Sequence, residues 1–459
     1  MKVTNLPEKN KKPKMNTLPT SLTLLITTLL TLSAYAQNDD LKLTYEEAVN
    51  IALRENILIK QQENILQTNQ AEKAQAYASM APSVNFGATG QQVFGRQFDN
   101  TTGDFTSERV SRMFGGLDAN LVIFNGFNRI NTMKQTQKNA EAQLYQINQT
   151  KQDVIFDVSQ QYLQVLLNQE LLRIAKANLD QQQELAESIK TFVEVGIRNI
   201  ADQYNQEAEA RSAALTVVEQ ENQLTISKVQ LIRILQVDPF KDWTFEEPDL
   251  AKEVLISEDI TLEEAYNTAM ANRPDIKQQR YSIEASRFGL KASRGQYMPR
   301  VGAGYYVGSQ YSSLDSRTVN EQIFDLNRVN VVSLSLTVPI FNSLETRTGV
   351  QRSRQILENA KLNLEDFERN IFELVQTGIA DYHTAQERVI AAEAQVKAAE
   401  KALEAERERF KLGVGNILDL NVVNAAYVEA LATKAQADYQ IIFQKTALDY
   451  YMGKIENYR

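Results

Sequence analysis

"LTYEEAVNIALRENILIKQQ" starts at residue 43 and "ITLEEAYNTAMANRPDIKQQ" at residue 260, and the two align without a gap at a spacing of 217 residues. The same spacing carries Pro82 onto Pro299, "IFN" at 123 onto "IFN" at 340, and Gly196, Asn199 and Asp202 onto Gly413, Asn416 and Asp419. Such a repeat sets the unit that has to fold. The unit runs over residues 37–239 and returns over 260–453, with 240–259 between the copies and a tail at 454–459. One plan is written twice.

Within each copy the pattern changes period in a fixed order. Residues 43–80 read as helix, opened by a Thr with a Glu three residues on that can close a capping box. Pro82 ends it, and from Val84 the side chains alternate, with Val84, Phe86 and Ala88 on one face and Asn85, Gly87 and Thr89 on the other. After a polar loop, a second alternating run sets Met113, Leu117, Ala119, Leu121 and Ile123 against Asp118 and Asn120. The second copy repeats the hairpin with Val301, Ala303, Tyr305 and Val307, then Val332, Leu334, Leu336, Val338 and Ile340. Each hairpin has one greasy side.

Each "IFN" is followed by a helix of about seventy residues, roughly 105 Å at 1.5 Å per residue. Val158, Val165, Leu172, Leu179, Ala186 and Val193 recur every seven residues, and the 217-residue spacing maps them onto Val375, Tyr382, Val389, Val396, Leu403 and Phe410. A sustained seven-residue apolar repeat is a coiled-coil seam. From Asn199 and Asn416 the chain returns as helices of about 37 residues. One of these plus a helix like 43–80 matches one long helix, so two short helices stack end to end beside each long one. Gly196 and Gly413 then lie at the tip farthest from the strands. There Gly lets the chain reverse, Asn caps the returning helix, and Asp202 or Asp419 meets its positive end. The single tryptophan, Trp243, falls between the copies and reads as packing.

The start reads as an export leader. Lys9, Lys11, Lys12 and Lys14 precede "LTLLITTLLTL", and "AYA" at 34–36 has the small-x-small form cut by signal peptidase, which sets cleavage after Ala36. Met15 would open a leader of more usual length. The apolar run is too short for a membrane helix and nothing later is longer. With no cysteine there are no disulfides, no lipid-modified cysteine and no thiolate site. A net charge of −9 without a basic, aromatic-studded stripe argues against nucleic acid as a partner. His383 is the only histidine, so no histidine metal site or catalytic triad assembles, and "GVG" at 413–415 lacks the strand and third glycine of a dinucleotide loop. No catalytic residue, metal or cofactor is expected, and the chain does not read as an enzyme.

The fold class is mainly α with a small β part. Four strands with one apolar face have unpaired edges, which a bilayer does not tolerate. Three copies supply twelve strands, enough for a barrel with an open lumen, whereas one copy is too few. In such a barrel Leu117, Leu121, Leu334 and Leu336 face lipid, Asp118 and Asn120 line the lumen, and the helices extend the tube as a coiled-coil barrel.

The duplicated "LT-x-EEA" start, the proline before each hairpin, "PIFN" at 339–342 and the paired Gly-x-x-x-x-x-Asp tips, in this order and at one spacing, resemble the TolC-like outer-membrane efflux proteins. The resemblance covers essentially the whole chain after the leader. It implies a homotrimer with a 12-stranded outer-membrane barrel and a periplasmic helical barrel. It also implies the role of exit duct of a tripartite efflux pump or type I secretion system, docking a periplasmic adaptor and an inner-membrane transporter. Val122 stands where the first copy often has the proline seen at Pro339. In the family a second carboxylate often follows the tip aspartate by three residues, where this chain has Val422. The family's tip arginine falls on Gly415, while Arg198 occupies the matching place in the first copy. One reading is that the tie holding the tip shut has moved across the repeat, with Arg198 pairing to Asp419 or Asp202 of an adjacent helix and Phe410 as the tip aromatic; the other is that Arg198 is a solvated arginine at a helix end. The rival reading is a periplasmic structural or adaptor coiled coil with no pore of its own.

Overall fold

The computed structural model of the chain describes residues 41–99, 103–246 and 260–455. The expected leader with its cleavage site, residues 247–259 between the copies and residues 456–459 of the tail lie outside them. In the first copy, β1 (Leu41–Leu43) leads into α1 (Tyr45–Glu55) and α2 (Ile57–Ala78). Then come β2 (Ser83–Val93), a small hairpin of β3 (Gln97–Asp99) and β4 (Asp104–Thr106), and β5 (Val110–Asn125). The long α3 (Asn128–Glu194) and the returning α4 (Ile200–Leu235) follow, then β6 (Trp243–Phe245). The second copy gives α5 (Leu262–Asn272), α6 (Pro274–Gly295), β7 (Arg300–Ser312), a π turn at Glu321–Leu326, β8 (Val329–Thr337), α7 (Glu345–Lys411) and α8 (Ile417–Tyr451). Helices α1, α2, α3 and α4 start 217 residues before α5, α6, α7 and α8, so the sequence repeat is a repeat of structure.

Both capping boxes form. Thr44 Oγ1 accepts from the Glu47 amide while the Glu47 carboxylate accepts from the Thr44 amide, and Thr261 and Glu264 do the same. The stretch 43–80, expected as one helix, is instead two, broken at Asn56, and its counterpart is broken at Arg273. Both residues leave the helical region with nearly equal angles, φ −59°, ψ 130° and φ −56°, ψ 126°. Pro274 enforces the second break, because a proline pushes the preceding residue out of the α region. Asn56 makes the first by capping α2, its side chain accepting from the Leu58 amide at 2.8 Å. Each break residue also reaches the end of the returning helix. Asn56 Nδ2 donates to the Ile234 carbonyl at 3.5 Å and Arg273 Nη1 to the Tyr451 carbonyl at 3.1 Å. These pairs are equivalent in the repeat, and they fix where the two short helices meet.

The long helices are 67 residues each, about 100 Å at 1.5 Å per residue. Every expected seam residue from Val158 to Val193 and from Val375 to Phe410 is buried or half-buried. In α7 a second seven-residue row lies beside the seam: Ile371, Gly378, Ala385, Ala392, Ala399 and Glu406. Its small members let α8 approach closely, and a Cβ on Gly378 would sit 2.9 Å from the Tyr451 ring. The largest core cluster gathers Val154, Val158, Tyr162 and Val165 of α3 with Leu231, Leu235, Ala52 and Phe245. Trp243 packs half-buried against it, in keeping with its expected packing role. The Tyr162 hydroxyl donates to the Leu43 and Glu246 carbonyls at 2.9 and 2.6 Å, tying the parallel β1–β6 pair to the middle of α3, and burial pushes its phenol pKa up.

The four strands form one antiparallel sheet in the order β2-β5-β7-β8, leaving β2 and β8 as outer edges. Val84, Phe86 and Ala88 lie opposite Ala119, Leu117 and Gly115. Leu121, Ala119 and Leu117 lie opposite Ala303, Tyr305 and Val307, and Leu334 and Leu336 opposite Ala303 and Val301. Residues paired across strands share a face, so these side chains make one apolar surface. Two details depart from simple alternation. Between Val122 and Phe124 strand β5 slips by one residue against β7, so Phe124 rather than Ile123 lies opposite Val301. Val338 and Ile340 lie past the end of β8, where Pro339 cannot donate to a ladder.

Candidate transport path

The sheet carries Leu117, Leu121, Leu334 and Leu336 on the apolar face and Asp118 and Asn120 on the other. Leu334 and Leu336 are 76% and 69% exposed in the single chain, an arrangement that water alone does not favour. On the opposite face the Asp118 carboxylate accepts from Asn85 Nδ2 at 3.1 Å and from Asn120 Nδ2 at 2.9 Å, so the acid is held by two amides. Beside it Tyr306 lies across Gly116 and Gly308, where a Cβ would collide with its ring. Serines 333 and 335 donate to the carbonyls of Gly304 and Gly302 at 3.4 and 3.3 Å. This face is polar and lined with small residues, a pattern the alternation alone did not reveal at Tyr306.

At the other end of the rod both reversals use the same geometry. Gly196 and Gly413 each have φ 77°, a left-handed turn that glycine adopts freely. Asn199 and Asn416 cap the returning helices by accepting from Ala201 and Leu418 amides at 3.2 Å. Asp202 and Asp419 stand in the first turns, Asp202 half-buried and Asp419 exposed. Within the chain Arg198 reaches across to the second tip turn. Its guanidinium donates to the Gly415 carbonyl at 3.4 Å and lies 4.7 Å over the Phe410 ring. Within the chain, among the described residues, it pairs with neither Asp202 nor Asp419. A Cβ at position 415 would come within 2.8 Å of the Phe410 amide, so this turn packs closely where its carbonyl faces Arg198.

Above the tip is a buried amide layer that the apolar seams did not disclose. Gln206 of α4 is fully buried; its Nε2 donates to the Gln182 side-chain oxygen at 2.5 Å, and its oxygen accepts from Asn421 at 3.1 Å. Asn424 accepts from Gln181 at 2.6 Å and donates to Asn178 at 3.0 Å. Together they fasten α8 to both α3 and α4 by polar contacts that tolerate few alternative registers. His383 is exposed on α7. Among the described residues no group of His, Asp or Glu is placed to hold a metal, and no helix is long and apolar enough to cross a membrane.

A sheet that is apolar on one face and polar on the other, carried on paired coils that end in a capped tip, fits an outer-membrane channel protein. The family described as outer membrane efflux protein matches residues 48–236 and 265–454. Outer membrane efflux protein BepC of Brucella suis is 20% identical over 334 residues, covering 72% of this chain and 70% of BepC. Alkaline protease secretion protein AprF of Pseudomonas aeruginosa is 23% identical over 188 residues, 41% of this chain and 38% of AprF. The crystal structure of the Campylobacter jejuni CmeC outer membrane channel superposes with a TM-score of 0.79 at 16% identity, over 98% of this chain and 93% of that one. The chain belongs to the outer membrane efflux protein family. Its place is the outer membrane, reaching into the periplasm, and its work is efflux through a channel.

Proposed function

We infer that the chain, after removal of residues 1–36, forms a homotrimer that serves as the exit duct of a tripartite efflux pump or type I secretion system. It meets a periplasmic adaptor and an inner-membrane transporter at its helical end and outer-membrane lipid at its sheet. The observation that carries this reading is the β5–β7 ladder. It joins the last strand of the first copy to the first strand of the second. The repeat makes β8 the counterpart of β5 and β2 the counterpart of β7. The ladder within the chain is therefore the template for a β8–β2 ladder between chains, which removes both free edges. The pairing of Ala119 with Tyr305 transposes to Leu336 opposite Ala88 of the next copy, both on the apolar face. A periplasmic coiled coil without a pore leaves that face unexplained.

The native chain has no cysteine, so the double variant Ala88→Cys, Leu336→Cys is a clean test. Oxidation in isolated outer membranes is expected to give dimer and trimer bands on non-reducing gels that neither single variant gives. No cross-linking in the double variant, at normal protein levels, would count against this closure.

At the tip, Gly196 and Gly413 set the reversals, three copies of Asp202 and Asp419 gather at the narrow end, and Arg198 with Phe410 holds the second turn in place. A cation over an aromatic ring contributes about 0.5–1 kcal/mol at an exposed site, three times over in a trimer. Shifting a gate from 1:99 to 99:1 takes about 5.5 kcal/mol. Arg198→Ala is therefore expected to raise mean conductance in planar bilayers and to admit large antibiotics without fixing the tip open. Asp202→Ala, which does not touch Phe410, should do less. Wild-type conductance and antibiotic exclusion in Arg198→Ala would remove the tie from the gate.

A further inference from the structure

We propose that a pocket at the base of the sheet binds an anionic group: a phosphate, sulfonate or carboxylate. The pocket is about 490 Å³ and is lined by Arg129 and Arg300 together with Asn125, Asn128, Thr132 and Thr337; no acidic side chain lines it. Arg300 opens β7 opposite Asn125 of β5 and Thr337 of β8. By strand parity it shares the face of Asp118, Tyr306 and Ser335, so the pocket opens on the polar side of the sheet. The slip at Val122–Phe124 brings Asn125 into that row.

The two arginines differ in what already occupies them. Arg129 Nη1 donates to the Val122 carbonyl at 3.2 Å, which holds the guanidinium against the slipped strand while leaving its other N–H groups open. Asn128 is fixed by donating to the Ala292 carbonyl at 2.8 Å. Arg300 has no side-chain hydrogen bond or ion pair among the described residues. A guanidinium on a rigid sheet row, beside a second one and free of carboxylates, is a forked donor set that matches an oxyanion.

The repeat supplies an internal comparison. At the equivalent junction of the other copy, Arg129, Arg300 and Asn128 are replaced by Thr346, Ser83 and Glu345. Thr346 there accepts a hydrogen bond from Asn342 at 2.6 Å. The equivalent positions, which would meet only where β8 of one chain adjoins β2 of the next, carry neither arginine. The positive charge belongs to one copy only, and in a trimer it would recur three times around the tube, below the carboxylates of Asp118. This proposal rests on the reading that the polar face lines the lumen.

The probe is inorganic pyrophosphate, titrated calorimetrically into the full chain in a neutral detergent. Saturable binding is expected, weakened about tenfold or more in Arg300→Gln and partly restored in Arg300→Lys, which keeps charge but loses the fork. No saturable binding to the native chain, or unchanged binding in Arg300→Gln, overturns the proposal. The source of the anion is read by repeating the titration in nanodiscs of phosphatidylcholine with and without phosphatidylglycerol. Loss of binding only with the anionic lipid assigns the site to a headgroup, and unchanged binding assigns it to a soluble anion in transit. Planar-bilayer reversal potentials in a salt gradient separate the two layers of the argument. A shift toward cation selectivity in Arg300→Gln supports a lumenal site. Binding in detergent with no shift keeps the anion pocket and removes the polar face from the lumen.

Discussion

Leu334→Arg is expected to stop the protein from assembling in the outer membrane, while Ser335→Arg, one residue along the same strand, leaves most of it in place. Leu334 lies opposite Ala303 on the face shared with Leu117, Leu121 and Leu336. An arginine facing lipid at the bilayer midplane costs about 2–4 kcal/mol in a β-barrel. In a trimer that cost is met three times, about 6–12 kcal/mol in all, which is comparable to the whole margin of about 5–15 kcal/mol of a typical fold. Ser335 points the other way, its hydroxyl donating to the Gly302 carbonyl at 3.3 Å, so an arginine there extends into water and loses only a weak side-chain bond. The measurement is the amount of detergent-extracted, heat-modifiable trimer in outer-membrane fractions. Equal loss in both variants would show that the faces are assigned wrongly.

Much of this architecture is legible in the residues, and the reason is redundancy. Two copies at one spacing mean that each signal is seen twice, so the alternation in Val84–Ala88 is checked by Val301–Val307, and the Thr44–Glu47 box by Thr261–Glu264. Strand facing survives because the period of two leaves no room for drift until the slip at Val122. There one extra residue shifts every side chain beyond it, and Phe124 takes the place expected of Ile123. Pattern counting misses such a slip because it shows only in the partner strand.

The helix break at Asn56 was hidden for a different cause. Asparagine is tolerated inside a helix and caps one equally well, and its partner, the Ile234 carbonyl, lies 178 residues away. Its counterpart carried a signal that the expectation of one helix passed over, since Pro274 marks the same break in the other copy. At the tip, local backbone chemistry was readable from Gly, Asn and Asp spacing. The contact of Arg198 with the Gly415 carbonyl was not, because it depends on how two coils pack together at the tip. The amide layer of Gln206, Asn421 and Asn424 was silent for the same reason: a polar residue on a helix shows no sign in sequence of being buried against another.

Gly126→Ala is expected to have the other large effect, and it separates two roles that glycine plays here. Gly126 ends the first hairpin with φ 65°, and a Cβ there would overlap the carbonyl oxygen of Gly295 and the Cβ of Met298. Gly295, the last residue of α6, has the reciprocal constraint: its Cβ would overlap the Gly126 carbonyl. The turn that leaves the sheet and the helix that leads back into it therefore touch backbone to backbone. A left-handed alanine costs about 1–2 kcal/mol, and forcing atoms into a packed contact adds about 1–3 kcal/mol. Gly126→Ala carries both terms, about 2–5 kcal/mol in sum. Gly413→Ala carries only the first, since it has φ 77° but open space around it, and Gly295→Ala carries only the second. Thermal unfolding of the purified protein in detergent should thus rank Gly126→Ala as the most destabilised, with the other two milder. If Gly413→Ala were as damaging as Gly126→Ala, the backbone contact would not be what holds the sheet to the helices. If Gly295→Ala were neutral, the α6 exit would have room to move, and the base of the sheet would be a hinge rather than a fixed joint.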